Sequence, residues 1–134
     1  MKIVVDSYAW IEIFLGSEKG AKAKQIIGEA EEGRTPDIVL AEIARKYSRE
    51  GVKEAEIRHR LRVIHATSII TSIDSEIAIL AGKTYLESLE RAQKEKLQNP
   101  GLFDAIVLAT ARAYNAKVIT GDEHFRNLPE TIFI

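Results

Sequence analysis

The chain contains no cysteine, and it uses proline and aromatic residues sparingly. Its 134 residues include three prolines, four tyrosines, four phenylalanines and one tryptophan. The lack of cysteine excludes disulfide bonds, zinc sites built on thiolates and cysteine nucleophiles. Any metal that the protein binds must therefore be held by oxygen atoms or by histidine.

The chain also lacks an excess of charge and a long apolar run. Its formal net charge is −1, so binding to nucleic acid would require the basic residues to be clustered on one face. No apolar run approaches the length of a membrane span, and the first residues do not resemble a secretion signal. With 46% apolar residues, the sequence predicts a cytoplasmic protein without membrane contact, in which residues 1–134 form one domain.

Two apolar segments end in the same way, on a hydroxyl and an acid. The first, residues 2–5, is rich in β-branched residues and stops at Asp6 and Ser7, and the second stops at Thr120 and Asp122. Apolar runs without alternation are typical of strands buried on both faces, and open α/β sheets bind ligands at the carboxyl ends of such strands. The two segments predict one shared acidic site, although each acid by itself is also a good helix N-cap.

The order of the predicted elements indicates an α/β fold. Between strands the sequence shows pairs of helical segments, which gives the order β-αα-β-αα-β-αα-β-β. Crossovers of this length predict a parallel sheet with helices on both faces. The remaining strands are predicted at residues 35–39, 67–73 and 131–134, and the helices at 7–15, 21–30, 40–47, 52–66, 74–97 and 102–114.

Four acids share a position at a strand end or in the first turn of the following helix: Asp6, Glu42, Asp104 and Asp122. If they converge, each pair of carboxylates about 4 Å apart repels by roughly 4 kcal/mol, which a cation must offset. Oxygen ligands predict Mg²⁺ or Mn²⁺. The alternative for Glu42 is an ion pair with Lys46, four residues further along the helix.

Acids that hold such a cation are suited to the hydrolysis of phosphodiesters, because the ion activates water and neutralises the phosphate. Ser7 and Thr120 are candidates to support the site by hydrogen bonding, with bonds to nearby backbone as the alternative. The predicted helix at residues 52–66 has the most basic surface and is a candidate for phosphate contact. His124, close to Asp122, is either a phosphate contact or a bystander.

These residues resemble the motifs of PIN-domain ribonucleases, and specifically the small VapC-type toxins of prokaryotic toxin–antitoxin pairs. The matching segments are residues 4–7, 40–44, 103–109 and 118–125, in order along almost the whole chain. The resemblance implies a three-layer PIN-like sandwich whose central parallel sheet has the strand order 3-2-1-4-5. It further implies Mg²⁺ or Mn²⁺ held by Asp6, Glu42, Asp104 and Asp122, endonucleolytic cleavage of RNA, a homodimer, and a small antitoxin partner.

One position departs from the family pattern. Some members carry a further acid two residues beyond the last motif aspartate, whereas this chain has His124 there, with Glu123 beside it. The number of metal ions is therefore left open.

Two alternative functions fit parts of this pattern. A phosphoacceptor receiver domain also has acids at strand ends, but it requires a pair of acids after the first strand, where this chain has only Asp6. The other alternative is a non-catalytic PIN-like module that binds RNA or protein, which the presence of all four acids disfavours.

Overall fold

A computed structural model describes residues 1–134, which form a five-stranded parallel sheet with the strand order β3-β2-β1-β4-β5. This confirms the α/β fold and the strand order that the family resemblance implies. The strands are β1 (Lys2–Val5), β2 (Glu32–Pro36), β3 (Ile69–Thr71), β4 (Lys117–Thr120) and β5 (Thr131–Phe133). The helices are α1 (Ser7–Leu15), α2 (Glu18–Glu29), α3 (Asp37–Arg49), α4 (Glu54–Thr67), α5 (Ser75–Lys94) and α6 (Leu102–Ala113), followed by a short 3₁₀ helix (Glu123–Phe125).

The connections explain the three layers. The chain moves from β1 to β2 to β3 in one direction, then returns past β1 to β4, so right-handed crossovers place α1–α4 on one face and α5–α6 on the other. Helix α6 packs against β1, β2 and β4, and α5 packs against α6. None of the helices is both long enough and apolar enough to span a bilayer.

The core lies around β1 and β4, the central strands. Ile3, Val4 and Val5 are fully buried, as the uninterrupted apolar run predicts. In α6 every residue from 105 to 111 is buried, and its alanines allow the helix to lie close to the sheet. This packing fixes the first turn of α6 beside the carboxyl end of the sheet.

The predicted boundary between the second strand and its following helix was wrong. Residues 35–39 were predicted as the strand, but β2 ends at Pro36, and Asp37 begins α3. Val39, Ile43 and Tyr47 are buried at intervals of four residues, so Val39 belongs to the helix that faces the core. Glu42 consequently lies in the second turn of α3, where the helix dipole has less influence than the first-turn prediction assumed.

A buried polar link joins α1 to β2 and to the end of α4. The Trp10 indole N–H donates to the Thr35 hydroxyl at 3.1 Å, and the hydroxyls of Thr35 and Ser68 lie 2.8 Å apart. These bonds satisfy side chains that would otherwise be costly to bury. They also fix α1 over β2, which holds the residue just before α1, Asp6, in place.

Candidate active site

Asp6 follows β1 and is almost completely buried. Its carboxylate accepts hydrogen bonds from the Ser7 backbone N–H at 2.8 Å and from the Thr120 hydroxyl at 2.8 Å. The same residue is the N-cap of α1, so the capping role considered from the sequence is present. The cap does not account for the burial, which leaves the carboxylate at the bottom of a groove.

Thr120 connects the ends of the two central strands. Its hydroxyl donates to Asp6 and accepts from the Asp122 backbone N–H at 3.1 Å. Both alternatives weighed for Thr120, a bond to a site carboxylate and a bond to nearby backbone, therefore apply at once. Ser7 contributes its backbone N–H to Asp6, and its side chain lines the groove.

Asp104 and Glu42 approach the same groove from opposite faces of the sheet. Asp104 lies in the first turn of α6, where one oxygen accepts from the Gly101 backbone N–H at 3.3 Å. Glu42 projects from α3. Lys46, the expected alternative partner of Glu42, instead pairs with Glu50 at 2.8 Å, so Glu42 stays directed at the other acids.

The structure brings all four predicted acids to one groove of about 410 Å³: Asp6, Glu42, Asp104 and Asp122. Tyr8, Glu12 and Glu50 also line it, and sequence reasoning missed them because nothing in their spacing separates them from ordinary helix residues. The Tyr8 ring packs so closely over Gly121 that no other side chain fits there. That contact keeps the turn before Asp122 against α1.

The electrostatics of the groove disfavour four charged carboxylates. Burial, with smaller contributions from the charges of Asp104 and Asp122, raises the pKa of Asp6 to about 7. Burial and the charges of Asp6 and Asp104 raise the pKa of Glu42 to about 7. Burial and the charge of Asp122 also raise the pKa of Asp104. Near neutral pH the uptake of protons or of a cation by the cluster is therefore favourable.

His124 lies next to Asp122, in a neighbouring pocket outside the groove. Its Nδ1 lies 3.0 Å from a carboxylate oxygen of Asp122, and its Nε2 lies 2.7 Å from the carbonyl oxygen of Gln98. Burial alone would lower the pKa of His124, but these hydrogen bonds and the nearby acidic charges raise it. His124 is therefore hydrogen-bonded to one of the clustered acids, while its contact with phosphate stays a prediction.

Two arginines on the basic surface of α4 pair with acids of the same helix. Arg58 pairs with Glu54 at 2.6 Å and Arg60 pairs with Glu56 at 3.1 Å. Such exposed pairs contribute little to stability. They do reduce the positive field of this helix, which weakens its candidacy for phosphate contact.

The donor set fits a divalent cation. Oxygen ligands from three or four carboxylates at an open groove are what Mg²⁺ and Mn²⁺ require, with water at the remaining positions. Ligand atoms of Asp104, Asp122 and His124 all lie within 4.8 Å of one another. A bound cation would lower the raised pKa values of Asp6 and Glu42, because its positive charge favours the ionised carboxylates.

Comparisons with known proteins agree with the fold. The family model described as PIN domain matches residues 3–130. A search of curated proteins finds no match. Among solved structures, the chain is similar to one in VapBC2 from Rickettsia felis bound to a DNA fragment from their promoter, with 17% identity, coverage of 100% and 98% of the two chains, and a TM-score of 0.73.

Two further structures are similar over most of their length. A toxin–antitoxin complex from Klebsiella pneumoniae matches with 24% identity, coverage of 97% and 95%, and a TM-score of 0.67. VapC20 from Mycobacterium tuberculosis, a toxin that cleaves the sarcin–ricin loop, matches with 16% identity, coverage of 92% of both chains, and a TM-score of 0.63. At these identities the similarity shows a common fold.

Proposed function

The chain belongs to the PIN domain family, and on that premise we propose that it is a metal-dependent endoribonuclease and the toxin of a toxin–antitoxin pair. The observation that carries the proposal is the meeting of Asp6, Glu42, Asp104 and Asp122 in one groove at the carboxyl end of the sheet. Capping alone does not bring an acid into this groove, since Asp74 caps α5 at the same sheet edge but lies outside it. RNA in the cytoplasm is the proposed substrate.

In this proposal the four carboxylates hold Mg²⁺ or Mn²⁺. Bound there, such an ion would lower the pKa of a coordinated water and would neutralise charge on the scissile phosphate. Asp6, Glu42 and Asp104 would be its principal ligands, and Asp122 would complete the cluster, orient water or hold a weaker second ion. Thr120 fixes the Asp6 carboxylate, because its hydroxyl leaves one Asp6 oxygen little freedom to rotate. Ser7 supports Asp6 through its backbone N–H.

Two partners are part of the proposal. The similar structures include toxin–antitoxin complexes, and Leu15, an apolar residue that is 70% exposed at the groove, suits coverage by an antitoxin. On the other face, Ile79 and Leu86 lie seven residues apart on α5 and are 57% and 65% exposed. An exposed apolar stripe of this kind supports a homodimer.

The test is cleavage of a mixed RNA panel by purified protein with Mg²⁺, Mn²⁺ or chelator. We expect cuts at discrete positions that require metal and are abolished by Asp104→Asn. Asp74→Asn is a matched control, because Asp74 caps α5 at the same sheet edge outside the groove, and asparagine caps equally well.

Equal cleavage by wild type and Asp104→Asn would remove the proposed site. If the folded wild type cut no RNA with either metal, the endonuclease proposal would be wrong, and the non-catalytic PIN-like module would take its place.

A further inference from the structure

His124 lies in the short 3₁₀ helix, two residues beyond Asp122. Its Nε2 lies 2.7 Å from the Gln98 carbonyl oxygen. A carbonyl can only accept, so Nε2 carries the hydrogen in this contact. The other nitrogen, Nδ1, lies 3.0 Å from Asp122 in the acid cluster. A carboxylate can also only accept, so Nδ1 carries a hydrogen in the metal-free protein, and a metal ion that binds there takes the place of this hydrogen.

This arrangement is the one that metal-binding histidines adopt. Such histidines usually donate one ring N–H to a backbone carbonyl or carboxylate outside the site, which fixes the ring and directs the other nitrogen at the ion. Gln98 belongs to the loop before α6 and is not itself one of the clustered acids. It therefore orients His124 independently of Asp104 and Asp122.

A second anchor fixes the backbone of His124. The Arg91 guanidinium, on α5, donates to the His124 carbonyl oxygen at 2.8 Å and to the Arg126 carbonyl oxygen at 3.2 Å. Arg91 also pairs with Glu95 at 3.4 Å, which limits its own movement. The ring and the main chain of His124 are thus both held in one position beside the acids.

We propose that His124 Nδ1 is a metal ligand together with Asp104 and Asp122, so that this protein favours Mn²⁺ over Mg²⁺. Imidazole nitrogen is a good ligand for transition ions, whereas Mg²⁺ prefers oxygen and gives up its water reluctantly. The inference rests on the proposed metal-dependent function and specifies which ion the site selects.

The direct test is pulsed electron paramagnetic resonance of the full chain, stripped of metal and reloaded with two equivalents of Mn²⁺. Wild type is expected to show a directly bound ¹⁴N nucleus. The signal is expected to disappear in His124→Gln, whose amide can still donate to the Gln98 carbonyl but offers no ligating nitrogen. His59→Gln, on the exposed face of α4, is the matched control and should keep the signal.

Calorimetric titration gives the second measurement. The Kd for Mn²⁺ should rise about tenfold or more in His124→Gln. Mutating a residue that only orients a ligand typically lowers metal affinity about 10–100-fold, and loss of a ligand should cost at least as much. His124→Asp should lower the ratio of Mn²⁺ to Mg²⁺ affinity, because it restores an all-oxygen site. Wild-type Mn²⁺ without bound nitrogen, or equal Mn²⁺ affinity in wild type and His124→Gln, overturns the inference.

These outcomes separate the inference from the proposed function. Mn²⁺ with bound nitrogen but no RNA cleavage would leave His124 a ligand while the nuclease proposal fails. Metal-dependent cleavage without bound nitrogen would leave the nuclease intact, with His124 acting only as a hydrogen-bonded support of Asp122.

Discussion

Replacing Asp6 by asparagine should stabilise the metal-free protein while removing its activity. The native fold raises the pKa of this carboxyl from 3.8 to about 7, chiefly by burial. Between about pH 4 and pH 7, the folded state therefore keeps a proton on Asp6 that the unfolded state has released. Unfolding free energy therefore falls as pH rises through this window, and it stays low above it.

The size of the effect follows from the pKa difference. Roughly three pKa units correspond to about 4 kcal/mol of lost stability above pH 7. Asparagine carries no charge, so this penalty disappears. Its amide can still accept from the Ser7 N–H, but it faces the Thr120 hydroxyl with a donor, a change that costs about 1 kcal/mol. The net gain is about 3 kcal/mol, or roughly 10 °C in Tm for a chain of this length.

The assay is thermal denaturation of wild type and Asp6→Asn in chelator at pH 8 and pH 5. At pH 5 the charge penalty falls to about 1.5 kcal/mol, so the advantage of the variant should nearly vanish. Saturating Mn²⁺ should raise the Tm of wild type by mass action and should raise that of the variant less. Asp74→Asn, which exchanges one good N-cap for another, should match wild type throughout.

Two results would refute the reasoning. If Asp6→Asn melts below wild type at pH 8 in chelator, burial of this carboxylate carries no charge penalty. If the variant has the same advantage at pH 5 and pH 8, its stability has a source other than ionisation.

Three other substitutions test separate parts of the structure. Thr120→Val removes the hydroxyl that joins Asp6 to the backbone of Asp122, so RNA cleavage should fall about 10–100-fold. The circular dichroism spectrum should stay unchanged. Undiminished cleavage would contradict the supporting role of Thr120. Gly20→Ala places a methyl group against the Glu12 carbonyl, where α2 packs on α1. The free energy of unfolding measured with denaturant should therefore fall by about 1–3 kcal/mol. An unchanged unfolding midpoint would be inconsistent with this packing. Trp10→Phe leaves the buried Thr35 hydroxyl without its indole donor. The free energy of unfolding should fall by about 1–2 kcal/mol in the same assay. No change would mean that the hydrogen bond to Ser68 alone satisfies Thr35.

The sheet was predictable because its signals are local and repeated. The apolar runs before Asp6 and Asp122 belong to the two central strands, and paired helical segments between strands require parallel crossovers. The strand order came from family resemblance and was confirmed. The boundary at Pro36 was missed because Ile38 and Val39 favour strands in isolation, whereas burial at positions 39, 43 and 47 decides for a helix only once the core is known.

The site was predictable as a set of acids but not as an arrangement. Sequence position indicates that Asp6 and Asp122 end neighbouring strands, yet it does not show that one Thr120 hydroxyl joins them. Contacts between distant segments could not be predicted from the sequence either. The ring of His124 touches Gln98, which is 26 residues away, and no local pattern predicts that contact.

The raised pKa values explain why such a site is costly to maintain. Asp6 and Glu42, each with a pKa of about 7, are poor choices for stability in a metal-free protein. Proteins commonly sacrifice stability where function requires strained or charged groups. The proposed cation would offset this cost, because its charge would stabilise the ionised carboxylates.

The most direct test of the central claim is RNA cleavage in water enriched in ¹⁸O, followed by mass spectrometry of the products. Hydrolysis at the proposed groove predicts that Mn²⁺-dependent cuts incorporate one solvent oxygen into the product phosphate without a 2′,3′-cyclic phosphate, and that Asp104→Asn yields none of these products. Cuts that persist in chelator, or products that end in a cyclic phosphate without ¹⁸O, would contradict the account.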